Sequence, residues 1–348
     1  MLNSGKYRFT VVTSILVVVL LLLIVACLLF GSVDIDASVV FSILTGNESG
    51  NDTLNTIVIE TRVPMILTAI LAGAALSVSG LLLQTTFNNP LAGPSILGVS
   101  TGAGLGVAIV TLAMGGAIGG VMGDSIGGYM ATLLAAILGA GVVLIILMVF
   151  ASIVKSSTML LIMGILVSYL ASSVISLLNS VATEQALQSY VYWGFGNFTG
   201  VSLDQMPIFA IAILLSLVAA LLMIKPLNAL LLGTRYAQNL GVNTKSTRNL
   251  LLLITGVLTA VVTAFCGPIG FLGLVVPHIA RLALNTSDHS RLLPVTILAG
   301  AATALLCTFI SVTLRNGIII PINAITPIIG VPIIIYIIIN RRKINYFN

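Results

Sequence analysis

Charge is rare in this chain, and it is sorted by sign along the sequence. Its 348 residues carry 14 Lys and Arg and 9 Asp and Glu. Between them run nearly uncharged apolar stretches, each about as long as a bilayer is thick, because ~20 helical residues cross a hydrocarbon core of ~30 Å. The gaps alternate, one basic or neutral and the next acidic. With 58% hydrophobic and 7% charged residues the composition lies far from that of soluble domains. The predicted fold class is an all-α polytopic membrane protein, a bundle of about ten transmembrane helices in one domain. The net charge of +5 is small and scattered, so it marks no nucleic-acid surface.

The predicted spans cover residues 9–30, 63–83, 95–114, 129–154, 158–180, 207–224, 250–265, 267–280, 292–314 and 318–340. The apolar start, preceded by Lys6 and Arg8, is too long for a cleaved signal and reads as the first span. Residues 249–280 contain no Asp, Glu, Lys or Arg, too long a stretch for one comfortable span and short for two, and Gly267-Pro268-Ile269-Gly270 argues for a hairpin there. Charge parity decides the count. With ten spans and both termini cytoplasmic, 12 of the 14 basic residues lie inside and only Arg62 and Arg315 outside. Merging spans seven and eight would place five basic residues outside, against the positive-inside rule. Three loops are long enough to fold: 31–61 and 181–206 outside, the second with Trp193, and 225–249 inside. Small residues at Gly73 and Ser77, and at Gly98, Gly102 and Gly106, make seams where helices approach closely.

Much chemistry is absent from the sequence. There is no GxxxxGK[ST] phosphate loop, no HExxH or His/Cys metal cluster, and no GxSxG elbow. Cys27, Cys266 and Cys307 sit in apolar stretches and read as packing residues. No span carries Asp, Glu, Lys or Arg near its middle, where ion-coupled transporters place such groups. These absences predict a passage driven by another subunit, with no catalytic residue, no metal and no bound cofactor of its own. One polar stripe stands out. Ser168, Ser172, Ser176 and Asn179 follow one helical face of span five. Helix packing and a polar wall of a permeation pathway both account for it.

Four segments, in order, resemble one family. They are RVP at 62–64 leading into AGAALSVSG at 72–80 and QTTFNNPLAGPSILGVSTGA at 84–103; LGTRYAQNLGV at 232–242; FLGLVVPHIAR at 271–281 with DHSRLLP at 288–294; and PINAITPIIGVP at 321–332. This pattern is similar to that of FecCD-type permeases, the membrane subunits of ABC importers for iron–siderophores, haem and cobalamin. The family's ten-span layout coincides with the charge count.

The resemblance implies partners and roles. A cytoplasmic coupling helix would include Thr234, Arg235, Ala237, Leu240 and Gly241 and dock on a separate ABC ATPase subunit, which handles ATP. On the residues alone, Thr234 is placed to cap a short helix ending at Leu240 with Gly241 as its left-handed stop; an amphipathic turn is the plainer reading. Asn89, Pro90, Pro277, His278 and Arg281 would lie in cytoplasmic loops near that ATPase. An Asn-Pro turn explains the first two by itself, and His278 reads as a hydrogen-bonding partner at a helix end. Asp288 is placed to cap the ninth helix. Arg62 and Arg315 would dock an extracytoplasmic substrate-binding protein, with interfacial snorkelling as the alternative. The chain departs from the family at Met65, where a second arginine is common, near Ile319, where a glutamate is usual, and at Ser311, in place of an aspartate. The expected function is import of an iron chelate (siderophore or haem) or cobalamin across the cytoplasmic membrane of a prokaryote. A second permease copy completes the pathway, lipid surrounds it, and no nucleic acid is involved. The alternative is a secondary transporter of a small solute.

Overall fold

The structure is a computed structural model that describes residues 2–31, 33–46, 51–113, 126–154, 156–313 and 320–339. Arg315, Ile319 and the predicted ends of spans three, nine and ten lie outside the described residues. All regular structure among the described residues is helical. Helix α1 (Leu2–Leu29) leads to a small folded cap made of α2 (Ala37–Leu44), α3 (Asp52–Thr56) and a π-helical turn, which runs into α4 (Val63–Thr86). Then follow α5 (Val99–Ala108), α6 (Ile126–Ile153), α7 (Ser157–Val181) and α8 (Glu184–Gly194). α9 (Met206–Leu222) and α10 (Ile224–Leu231) meet at a 51° bend, and α11 (Thr234–Asn239) projects beyond them. α12 (Thr244–Cys266), α13 (Leu272–Leu284), α14 (His289–Thr313) and α15 (Ile322–Ile339) complete the described chain.

By length and composition six of these helices can cross a membrane, or seven if α9 and α10 count as one bent span. The remaining predicted spans fall on shorter apolar helices: α5 with its π-helical extension, α13 and α15. A 13-residue helix such as α13 rises only ~20 Å. The rest of its passage belongs to the irregular backbone before it, which lipid tolerates only where protein or a cavity covers it. The hairpin expected at 267–270 is present: α12 stops at Gly267 with φ 74°, and α13 starts after Phe271 with φ 66°.

α4 forms the centre of the bundle. Its seam of small residues lets neighbouring backbones come in. A Cβ added at Gly80 would sit 1.6 Å from the Gly273 carbonyl oxygen, and one at Gly73 would sit 2.3 Å from that of Gly300. Those two contacts bring α13 and α14 against α4, so only glycine fits at either place. Ser77 belongs to the same seam, at the Gly73–Gly300 crossing. The second seam divides. Gly102 and Gly106 face α6, at Gly139 and Ala135, whereas Gly98 is the left-handed cap of α5 and meets Gly164 and Ser168 of α7. In this core Ser79 Oγ lies 3.1 Å from Thr259 Oγ1, which ties α4 to α12. The cap over α1 has its own core of Ile35, Val40, Ile43 and Val58.

Arginines fasten helix ends. The last carbonyls of a helix lack partners within it and carry partial negative charge, so a guanidinium satisfies both needs. Arg8 donates to the carbonyls of Leu282 and Ala283 at the end of α13. Arg248 donates to Ala151 at the end of α6. Arg62 donates to Leu28 and Leu29 at the end of α1 and to Val33 just beyond it, and is 4% exposed. This corrects the expectation for Arg62. Buried on three carbonyls, it is no surface cation for a docking protein. Sequence placed it by charge parity, which reports the side of the membrane and not the partner.

Candidate functional site

A cavity of about 570 Å³ opens between α5, α7, α8 and the starts of α13 and α15. Ser95, Ser100, Thr101, Ser172, Ser176 and Asn179 supply most of its polar groups, and Tyr190 and Trp193 of α8 form an aromatic side. Tyr190 and Trp193 stack, with ring centroids 6.1 Å apart. Burial holds the Tyr190 phenol above its ordinary value, so it stays neutral. None of the residues lining the cavity is charged. Asn179 Oδ1 and Trp193 Nε1 are buried without a protein hydrogen-bond partner and are not open to the cavity. The wall offers hydroxyls and amides, but no fixed charge to trap a passing solute.

The polar stripe of α7 is split by this geometry. Ser172, Ser176 and Asn179 face the cavity. Ser168 does not: its hydroxyl donates back to Gly164 at 2.8 Å and packs on Gly98. Helix packing therefore accounts for one member and a cavity wall for the other three.

A second feature lies at the far end of α9. After the 51° bend, α10 leads to α11, most of whose residues are exposed. Val242 N–H donates to Ala237 O at 3.0 Å and Gly241 N–H to Gln238 O at 2.9 Å, and Gly241 has φ 84°. This paired closure is the left-handed stop expected at Gly241. The start differs from expectation. Gly233, with φ 95°, occupies the cap position and Thr234 is the first helical residue, so the threonine caps nothing. Thr234 and Arg235 are exposed, whereas Ala237 is fully buried and seats the helix. Leu232, Tyr236 and Leu240 are 61, 68 and 64% exposed. Tyr236 and Leu240 lie four residues apart on and at the end of α11, and Leu232 lies before Gly233, outside the helix; Leu232 and Tyr236 were missed in the sequence because a short polar helix gives too few residues for a period.

The other residues expected on this face are inside the bundle. Pro277, His278 and Arg281 are buried, the last two at 1 and 3% exposure. His278 Nε2 donates to the Pro90 carbonyl at 2.8 Å, from the middle of α13 and not from a helix end. Arg281 donates to Gln84 Oε1, which ties α13 to α4. Within this chain these three are internal braces and not exposed loop residues. Asn89 and Pro90 are half-buried in the turn after α4. There Asn88 adopts φ 47° and closes the helix through Asn89 N–H to Gln84 O. Ser311 exchanges hydrogen bonds with the Ile320 backbone.

Asn228 of α10 joins the projecting arm to the bundle. Its Oδ1 accepts from His289 N–H at 2.8 Å and from His289 Nδ1 at 2.9 Å, and its Nδ2 donates to Asp288 Oδ1 at 2.8 Å. His289 Nε2 in turn lies 2.8 Å from Thr85 Oγ1 on α4. Asp288 caps α14 by accepting from Ser290 N–H at 3.0 Å. Burial pushes its carboxyl up, but the Ser290 amide, Asn228 and Arg291 outweigh that and hold it below its ordinary value.

Comparison with known proteins follows the same outline. The sequence profile of the FecCD transport family matches residues 19–340. The vitamin B12 import system permease protein BtuC of Klebsiella pneumoniae subsp. pneumoniae is 37% identical over 283 residues, 81% of this chain and 82% of its own. A protein of Methanocaldococcus jannaschii, provisionally named an ABC transporter permease, is 33% identical over 332 residues, 94% of each chain. A solved structure, provisionally assigned to a metal-chelate type ABC transporter in an inward-facing conformation, superposes with a TM-score of 0.81. The match covers 96% of this chain and 99% of that one at 29% identity.

Proposed function

The chain belongs to the FecCD transport family, and from that premise we propose that it is the multi-pass permease of an ATP-driven importer in the cytoplasmic membrane of a prokaryote. Two copies enclose the pathway. The apolar residues that α7 leaves exposed, among them Leu166, Leu170 and Leu177, face lipid or the second copy. A separate ABC ATPase binds α11, and an extracytoplasmic protein delivers the substrate. Arg315 remains the basic residue proposed for that delivery contact. The substrate is a bulky chelate or corrinoid, an iron–siderophore, haem or cobalamin. The uncharged lining of the cavity suits such a solute, because hydroxyls and amides let it pass without a charge pair to break.

The observation that carries this reading is the exposure of the apolar side chains of Leu232, Tyr236 and Leu240 on and beside α11, a helix closed at Gly241. Exposed apolar side chains clustered on a polar projection mark a docking surface. Binding there moves α10, and Asn228 passes that movement to α14 and α4. The test is co-purification with the cognate ATPase. Tyr236→Asp with Leu240→Asp is expected to abolish the complex while leaving the permease folded. An undiminished complex and undiminished uptake would contradict the proposal. Uptake that persists without ATP, and that uncouplers abolish, would favour a secondary transporter.

A further inference from the structure

Three interruptions in the helical backbone meet at one side chain. α8 stops at Gly194, residues 267–271 separate α12 from α13, and α15 starts at Ile322. Asn323, in the first turn of α15, reaches all of them. Its Nδ2 donates to Gly194 O at 3.1 Å and to Pro268 O at 2.6 Å, and its Oδ1 accepts from Gly270 N–H at 3.1 Å. Both amide hydrogens and one acceptor position are thereby used. Each partner is a backbone group released where a helix ends, and the amide gives it a partner within the protein.

The same three segments form part of the cavity wall. Gly194, Pro268, Ile269, Gly270 and Asn323 all line it. They are pressed together: a Cβ on Gly267 would lie 2.4 Å from Trp193 O, and one on Gly196 would lie 2.9 Å from Pro268 O. Around the amide the direct backbone bonds are few. Asn197 N–H donates to Cys266 O at 2.9 Å, while the bonds from Ile322 and Asn323 to Gly196 and Phe195 are long, at 3.4 Å. α8 carries Tyr190 and Trp193 into the cavity, so whatever fixes its end fixes that wall.

We propose that Asn323 is a positioning residue for transport. It latches the end of α8 to the α12–α13 break and so sets how far the aromatic wall of the cavity stands from the frame of the bundle. The inference rests on reading the cavity as the transport pathway. Releasing the latch frees α8 to move while α4, α12, α13 and α14 keep their packing.

The test uses the full chain in lipid nanodiscs, with spin labels at Gln188→Cys on α8 and Thr313→Cys at the end of α14 in a background lacking Cys27, Cys266 and Cys307. Asn323→Ala is expected to broaden or shift the 188–313 distance distribution. In the assembled importer it is expected to change KM for the transported chelate several-fold more than kcat, because the change lies in the cavity wall. A distance distribution equal to the parent's overturns the latch. Should Asn323→Ala fail to assemble, Asn323→Asp keeps the shape and the Gly270 contact but removes both donors, and is read the same way. Failure of both to assemble also overturns the proposal, since Asn323 is then a folding residue only. The distances are read without the ATPase. A changed distribution in a chain that transports nothing keeps the latch and overturns the function, and an unchanged one in an active importer does the reverse.

Discussion

α4 and α7 are similar in length and apolar character, yet they live in different surroundings. In the span containing α4, 83% of the most apolar window is buried inside the protein; in α7 the figure is 22%. Hydropathy sends both into the membrane but does not say which one the others pack around. The small residues do. Gly73, Ser77 and Gly80 let α14 and α13 approach α4 backbone to backbone. α7 instead turns Ser172, Ser176 and Asn179 to the cavity and leaves Leu166, Leu170 and Leu177 exposed. One helix is frame and the other is wall, so damage to the first should show as instability and damage to the second as altered transport.

The strongest way to break this contrast is Gly80→Leu. The new Cβ alone would overlap the Gly273 carbonyl, so α13 must leave its place on α4. We expect no monodisperse protein in detergent, a cost at or above the ~3 kcal/mol usual for overpacking. A well-behaved variant would deny that α4 is the frame. Gln84→Leu follows. It removes the acceptor of Arg281 Nη1 at a site 3% exposed. A hydrogen bond to a buried charged group is worth about 2 kcal/mol, and a lowered melting midpoint in detergent measures its loss.

Ser176→Leu probes the wall. Stability should stay within about 0.5 kcal/mol, as for other surface changes, while uptake falls several-fold because the leucine fills part of the cavity. A stability loss without an uptake defect would make α7 a packing helix. The smallest effect lies at the margin of the frame, where Asp288 caps α14. Its folded pKa is below the ordinary value, so its stabilisation is complete above the normal carboxylate range and is lost as pH falls through the lowered value. The gap in melting midpoint between parent and Asp288→Ala should close over that acid interval and not at neutral pH.

Much of the frame was legible in the sequence. Charge parity separated α12 from α13, and the observed break falls at Gly267 as predicted, because a glycine with positive φ followed by proline cannot continue a helix. The stop at Gly241 and the cap by Asp288 were readable for the same reason: each depends on a few neighbouring residues. What was not legible depends on distant ones. Arg62 looked like an external cation, and only the fold shows the end of α1 beneath it. His278 and Arg281 looked like loop residues beside a partner, and only the packing of α13 on α4 buries them. Asn323 gave no signal at all, since its three partners come from segments 55 and 129 residues away in sequence, together with the neighbouring Gly270.

Thiol accessibility tests the division between frame and wall most directly. Single cysteines at Ser77 and Ser176, in a chain lacking Cys27, Cys266 and Cys307, would be exposed to a small hydrophilic thiol reagent in the assembled importer. Ser77 is fully buried and Ser176 lines the cavity. The account predicts that position 176 labels in the folded protein, at a rate that changes with nucleotide, and that position 77 labels only after denaturation. Protection of 176 in every nucleotide state, or labelling of 77 in the folded protein, would contradict it.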